Sequence, residues 1–232
     1  MQLQEAQQEV QQLTNCEHIP LTIAMASSFA PTPLLQAIAV FQQNFPPYDV
    51  HLMVADGATP DQLLEERQAD VVLALQKPHQ AAFHSERLVR APLYFVYATS
   101  LASASDSYDG QLRSLLNTYP LYYGDLAGYI PVVAALENEY VIRRKIKLAN
   151  ELFALQLVRK GVGVGLFPLF FVEELVAKKE VAVIPLGEIA AIYAVEIMMS
   201  HIRYETRVQP FLTFIRSNSS CLLYTSPSPR DS

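Results

Sequence analysis

Charged residues, cysteines and long apolar runs are all scarce in this sequence of 232 residues. Charged residues make up 17% of it, below the roughly 25% of an average soluble domain. The net charge of −6 argues against nucleic-acid binding by this chain alone, because phosphate contacts need clustered positive charge. No apolar run reaches the roughly 18 residues of a membrane span, and the N-terminal sequence lacks the features of a secretory signal. We therefore expect a cytoplasmic protein with no membrane partner.

Residues 221–232 (CLLYTSPSPRDS) resemble the in-frame translation of a sequencing adapter, and we set them aside as an artefactual tail. Without this tail Cys16 is the only cysteine, so no disulfide can form within the chain. The five histidines show no metal-ligand spacing, and no nucleophile-elbow, Walker or zinc-protease motif occurs. The sequence thus predicts no catalytic residue, no metal and no cofactor, and we expect that the protein is not an enzyme.

The N-terminal segment has the apolar spacing of a coiled-coil seam. Leu3, Ala6, Val10 and Leu13 follow the a/d pattern, with Gln and Glu at most other positions. A segment this short does not hold a helix alone. It is either a helix that packs on its own domain or the end of a longer helix.

From Ile19 the chain alternates short apolar runs with amphipathic stretches. The order of strands and helices with this spacing is typical of parallel βαβ units, whose helices cover the sheet. In the first half we predict strands at 20–26, 49–55 and 69–75, with helices at 33–44 and 59–68.

The second half repeats this alternation after a small, polar linker at 100–108. Residues 88–99 are predicted to form one or two strands, and further predicted strands are 119–124, 141–148, 162–167, 181–186 and 193–202. The predicted helices are 111–117, 150–160, 169–178 and 207–215. We therefore predict two α/β lobes of similar size. A chain that crosses between lobes more than once makes a hinge with a cleft.

Two parts of the sequence resemble a known family. The strings PLTIAMASSF, LLQAIAVFQQNFP, VHLMVADG and ADVVLAL resemble the start of the effector-binding half of LysR-type transcriptional regulators. The later strings ELFALQLVRKGVGVGLFP and VAVIPLG resemble its second lobe. The resemblance implies an α/β fold: a two-lobed, periplasmic-binding-protein-like (type 2) clamshell. Each lobe is a mixed sheet flanked by helices, and a linker-helix stub precedes them.

The same resemblance implies a domain organisation and partners. Residues 1–15 would be the end of the linker helix, residues 18–98 with 203–220 the first effector-binding lobe, and residues 99–202 the second. A small-molecule effector and self-association as a dimer or tetramer are implied. No helix-turn-helix is recognised in the sequence, so we expect DNA contact only through such a domain, missing from this chain.

We therefore interpret the chain as the ligand-sensing and oligomerisation domain of a LysR-type transcriptional regulator. It would bind a small polar or anionic effector in the inter-lobe cleft and so modulate transcription. The alternative is a solute-binding protein of a transport system with the same clamshell fold, followed by an enzyme on that scaffold. A helix-turn-helix encoded upstream would favour the regulator, and a signal peptide would favour transport.

The candidate effector-binding residues of the first lobe follow its first two strands. Ser27, Ser28 and Phe29 lie between a strand and a helix, where hydroxyls and backbone N–H groups favour an anionic or polar ligand. Simple capping of the helix is the alternative. Thr59 begins a capping box that ends at Gln62, and the resemblance places a ligand-contacting hydroxyl at about this point.

The second-lobe candidates are Tyr123, Asp125 and Phe167. The first two end a strand, where open α/β sheets usually present their ligand. Because Asp125 would repel a simple carboxylate, either it points away or the effector carries a donor such as an amine or hydroxyl. Phe167 would line the wall of the cleft, with core packing as the alternative.

The glycines at 161–165 follow a helix and lie in a strand, so they do not form a nucleotide-binding loop. Gly161 is the predicted helix C-cap.

Overall fold

The computed structural model describes residues 18–30, 32–102, 107–124, 128–189 and 194–218. The predicted linker helix at 1–15 and the tail at 221–232 lie outside them. The strands are β1 Ile19–Met25, β2 Tyr48–Val54, β3 Val71–Ala74, β4 Phe83–Ala98, β5 Leu121–Gly124, β6 Lys145–Leu148, β7 Val164–Pro168, β8 Val181–Pro185 and β9 Ala194–Ile202. The helices are α1 Pro33–Asn44, α2 Pro60–Glu65, α3 Tyr108–Thr118, α4 Tyr129–Glu139, α5 Glu151–Arg159, α6 Leu169–Ala177 and α7 Gln209–Asn218. None of these helices is long and apolar enough to cross a bilayer.

The first lobe is built on a mixed sheet with the order β2-β1-β3-β9-β4. Strand β1 is parallel to both β2 and β3, as the predicted βαβ units require. Strand β9 runs antiparallel between β3 and the first part of β4. The sequence placed β9 at the end of the second lobe, but its pairing lies in this first sheet.

The second lobe shares strand β4 with the first. Residues 83–92 of β4 pair with β9, whereas residues 93–98 pair with β7 and β8. The change of partner falls next to Pro92, which has no backbone N–H to donate to a ladder. Strands β5 and β6 extend this sheet in parallel with β7. The predicted mixed α/β clamshell fold is confirmed.

Helix α4 was not predicted from the sequence. Pro131 lies inside it, and proline normally ends a helical pattern. Here it occupies the first turn, where the backbone N–H groups have no intrahelical acceptor. The apolar side chains of Val132, Val133 and Leu136 are buried, so packing against the lobe holds the helix in place.

A cluster of aromatic rings fills the core of the first lobe. Phe41 of α1 is fully buried, and it contacts rings from the C-cap of its own helix, from β2 and from α7. The ring centroids lie 4.6 Å from Phe45, 5.3 Å from Tyr48, 5.1 Å from Phe211 and 5.5 Å from Phe214. These contacts join the N-terminal and C-terminal parts of the described chain.

A polar network ties the segment before α7 to the strands of the same lobe. The carboxylate of Asp70 accepts a hydrogen bond from the backbone N–H of Thr22 at 2.8 Å and pairs with Arg207. Arg207 also donates to the carbonyl of Pro20, and its own carbonyl accepts from the hydroxyl of Tyr48, both at 2.8 Å. Strand β1 and the segment before α7 are therefore fixed to one sheet.

Gly163, directly before β7, leaves no room for a side chain. A Cβ there would lie 2.3 Å from a ring carbon of Tyr122 and 2.7 Å from the carbonyl oxygen of Pro120. Because the second atom belongs to the backbone, relief requires movement of the chain. We expect Gly163→Ala to lower the free energy of unfolding by about 1–3 kcal/mol, measured by urea denaturation. Val162→Ala is the control, since Val162 is 52% exposed. Equal stability of Gly163→Ala and the unaltered protein would contradict the expected clash.

Candidate functional site

A cleft lies between the two lobes where the parallel strands end. Its walls are the segments that follow β1, β2 and β3 in the first lobe and the segment 149–151 that follows β6 in the second. The carboxyl ends of parallel strands are where open α/β sheets bind ligands. The cavity has a volume of about 540 Å³, within the range of about 300–1,000 Å³ typical of small-molecule sites.

Asp56 and Ser27 connect the first two strand ends inside this cleft. The backbone N–H of Ser27 donates to Asp56 Oδ1 at 2.9 Å, and its hydroxyl donates to Oδ2 at 2.5 Å. The loop after β1 is therefore held against the loop after β2 by a carboxylate. Such charge-assisted hydrogen bonds are stronger than neutral ones.

Asn150 extends this hydrogen-bond network into the second lobe. Its Nδ2 donates to Ser27 Oγ at 3.2 Å and lies 3.4 Å from Asp56 Oδ2. Its Oδ1 accepts from the backbone N–H groups of Leu152 and Phe153, so the same side chain caps helix α5. One asparagine thus fixes a helix N-terminus and bridges the two lobes.

Thr59 forms the predicted capping box with Gln62. Its hydroxyl accepts from the backbone N–H of Gln62 at 3.3 Å, and its backbone N–H donates to Gln62 Oε1 at 3.1 Å. Asp61 accepts from the backbone N–H groups of His79 and Gln80. Burial raises the pKa of Asp61, but these donors outweigh it and hold the pKa below its ordinary value. The start of α2 is therefore firmly attached beside the cleft.

Among the described residues that line the cleft, the charged side chains are both acidic. They are Asp56, which is exposed, and Glu151, which is only 9% exposed and lies in the first turn of α5. No lysine, arginine or histidine lines the described part of this cavity. Within the described chain, no group of three or more His, Cys, Asp and Glu side chains could hold a metal ion.

Three of the predicted effector-binding residues line this cavity. They are Ser27, Ser28 and Thr59. Phe29 is fully buried instead, and its ring packs against Phe171 with centroids 6.2 Å apart. Effector contact by these side chains stays a prediction.

The second-lobe candidates lie elsewhere or outside the description. Tyr123 is half-buried in β5 and Phe167 is fully buried in β7, and neither lines the cavity. Asp125 lies outside the described residues. Their contact with an effector remains untested.

Sequence reasoning missed Asp56, Gln76, Asn150 and Glu151, which all line the cleft. A signal existed for two of them. Asp56 comes directly after the second predicted strand, and Asn150 is the first residue of a predicted helix, where asparagine is a favoured N-cap. The carboxyl-end rule that selected Ser27 applies equally to them.

Solved structures with a similar fold include effector-binding and regulatory domains of other proteins. The effector domain of AmpR from Pseudomonas aeruginosa is 17% identical with a TM-score of 0.69, covering 88% of this chain and 96% of that one. The BenM effector-binding domain with its effector benzoate is 16% identical with a TM-score of 0.66, covering 90% and 95%. The bromide-bound regulatory domain of HypT from Salmonella typhimurium is 15% identical with a TM-score of 0.64, covering 88% and 97%.

These identities are too low to show more than a shared fold. A comparison with curated proteins found no match. The family model for the LysR substrate binding domain, however, matches residues 17–220, which include both lobes and every described residue that lines the cleft. The chain therefore belongs to the LysR substrate binding domain family.

Proposed function

We propose that this chain is the ligand-sensing domain of a LysR-type transcriptional regulator and that a small polar effector binds in the cleft between its lobes. Binding shifts the population of hinge angles towards the state that the effector prefers. The shift is passed to DNA through a helix-turn-helix domain outside this chain. The domain also takes part in self-association, as a dimer or tetramer, and works in the cytoplasm without catalysing a reaction.

The contact of Asn150 with Ser27 and Asp56 is the observation that carries this proposal. It is a polar link between the lobes in the wall of a ligand-sized cavity. An effector that competes for these groups would change the free energy of lobe closure directly. Strand β4, which runs through both sheets, offers the connection about which the lobes rotate.

We assign the residues of the two lobes from the strand pairing. The first lobe comprises residues 18–92 and 194–218, and the second comprises residues 93–189. This assignment moves β9 into the first lobe, where its partners are β3 and β4. Effector-bound relatives such as the benzoate complex of BenM support small-molecule sensing by this fold.

A thermal-shift screen of small polar metabolites, followed by calorimetry, tests the proposal. We expect at least one compound to raise the melting temperature. We expect Ser28→Ala to weaken its binding about three- to tenfold, because one neutral hydrogen bond contributes about 0.5–1.5 kcal/mol. Ser114→Ala is the matched control, since Ser114 is exposed on α3, away from the cleft. An unchanged affinity in Ser28→Ala would remove Ser28 from the site.

A further inference from the structure

We infer that the effector of this cleft is a small organic cation, bound through a protonated amine, and not a carboxylate. The inference rests on the proposed function and adds the chemical class of the ligand. It follows from the charges that line the cleft and from the hydrogen bonds that those charges already make.

Asp56 is the first of two carboxylates in the cleft. An ionised carboxylate has about four acceptor sites. The described contacts of Asp56 are the backbone N–H of Ser27, the hydroxyl of Ser27 and the amide of Asn150. All three donors are neutral, so the negative charge of this side chain lies at the cavity without a cation among its hydrogen-bond partners. A protonated amine would supply that cation and a further donor.

Glu151 is the second carboxylate of the same cavity. It lies one residue after Asn150, and its carboxylate is close to Gly124, where a Cβ would lie 2.8 Å from Oε1. It comes from the second lobe, whereas Asp56 comes from the first. A cleft with negative charge on both walls repels an anion from both sides and concentrates cations.

No basic side chain is available to reverse this field from within the undescribed loops. The residues at 31, 103–106, 125–127 and 190–193 contain no lysine, arginine or histidine. Lys147 is the basic residue closest in sequence to the second-lobe wall at 149–151. It is exposed in β6 and is not among the described residues that line the cavity. A carboxylate effector would therefore meet no basic side chain along the described wall.

Matched pairs of small molecules test the inference. Each pair joins an amine to a carboxylate of similar shape: benzylamine with benzoate, butylamine with butyrate, and putrescine with succinate. Benzyl alcohol is the neutral probe. Binding to the whole chain is measured by calorimetry at neutral pH and at two salt concentrations. We expect amines to bind, more weakly at higher salt, and the matched carboxylates not to bind.

Two variants assign the binding to the cleft. We expect Asp56→Asn to weaken amine binding about ten- to a hundredfold, as loss of a charged hydrogen-bond partner does, and Glu151→Gln to weaken it as well. Asp49→Asn is the matched control, because it removes the same charge from an exposed side chain of β2 outside the cavity. It should bind amines as the unaltered chain does. Melting curves of each variant show that it is folded.

The outcomes separate the two proposals. Binding of a carboxylate but no amine, weakened by Lys147→Met, would overturn the cationic class and leave ligand sensing in place. Preference for benzyl alcohol over both charged partners would also overturn it. Amine binding that Asp56→Asn and Asp49→Asn weaken equally would mean unspecific attraction to an acidic protein. Binding by no probe of any charge would overturn the cationic class, and together with no hit in the metabolite screen it would contradict the sensing function as well.

Discussion

Replacing Phe41 by alanine is expected to lower the free energy of unfolding by about 3–5 kcal/mol, the cost typical of a deleted core phenylalanine. The ring is fully buried and contacts four other aromatic rings. Its loss removes apolar area from the core and leaves a cavity between α1, β2 and α7. Because the surrounding rings belong to three different elements, no single side chain can move in to fill the space. Urea denaturation followed by circular dichroism measures the loss.

Val40→Ala is the neighbouring control for this prediction. Val40 is the adjacent residue of α1 but is 38% exposed, so its truncation should cost less than about 1 kcal/mol. A loss below 1 kcal/mol for Phe41→Ala would mean that the aromatic cluster does not hold the first lobe together. Equal losses for the two variants would show that the buried ring of Phe41 contributes no more to stability than an exposed side chain of the same helix.

Replacing Asp70 by alanine is expected to cost about 2–4 kcal/mol, because the change leaves polar partners without their acceptor. The side chain of Asp70 is 14% exposed, and that of its partner Arg207 is 35% exposed. The variant removes the acceptor for the backbone N–H of Thr22 and the carboxylate that faces the guanidinium. Because Arg207 is partly exposed and its charge is partly screened by solvent, we expect a smaller loss of stability than for a fully buried ion pair.

Asp70→Asn separates the two contributions. The asparagine keeps an oxygen that can accept from Thr22 but loses the charge that pairs with Arg207, so its cost should lie between those of alanine and the unaltered protein. Asp49→Ala is a surface control, because its contact with His51 joins two exposed side chains, and it should change stability by less than about 0.5 kcal/mol. Thermal and urea denaturation measure all three. An Asp70→Ala variant as stable as Asp49→Ala would refute the role of this network.

Local sequence patterns were sufficient to predict the elements that are marked by their own residues. Strands β1 and β3 are short apolar runs between turn residues, and α1 has Pro33 at its first position. These features are visible in a window of a few residues. The predicted parallel pairing of β1 with its neighbours followed from connection length and is confirmed.

Elements that depend on distant partners could not be placed in this way. The first five residues of β4, from Phe83 to Arg87, carry mostly polar side chains, so no apolar run marks them. They form a strand because they pair with β9, which lies more than a hundred residues later in the sequence. In the same way, the position of β9 between β3 and β4 depends on pairing that no local pattern contains.

The site was predicted by topology and not by chemistry. Ser27, Ser28 and Thr59 were selected because they follow strand ends, and all three line the cleft. Phe29 was selected by the same rule, but its apolar ring belongs to the core. The acidic character of the cleft depends on Asp56 and Glu151 coming from different lobes, which only the folded arrangement brings together.

The pairing of β9 has a consequence for synthesis on the ribosome. Strands β3 and β4 are made early, but the strand that joins them starts only at residue 194. Until that strand has left the exit tunnel, the nascent first lobe has two unsatisfied edges, which are the feature of partly made proteins that invites aggregation. The second lobe, by contrast, has all the strands of its own sheet by residue 185. The half of the molecule that is translated first is therefore the half that is completed last.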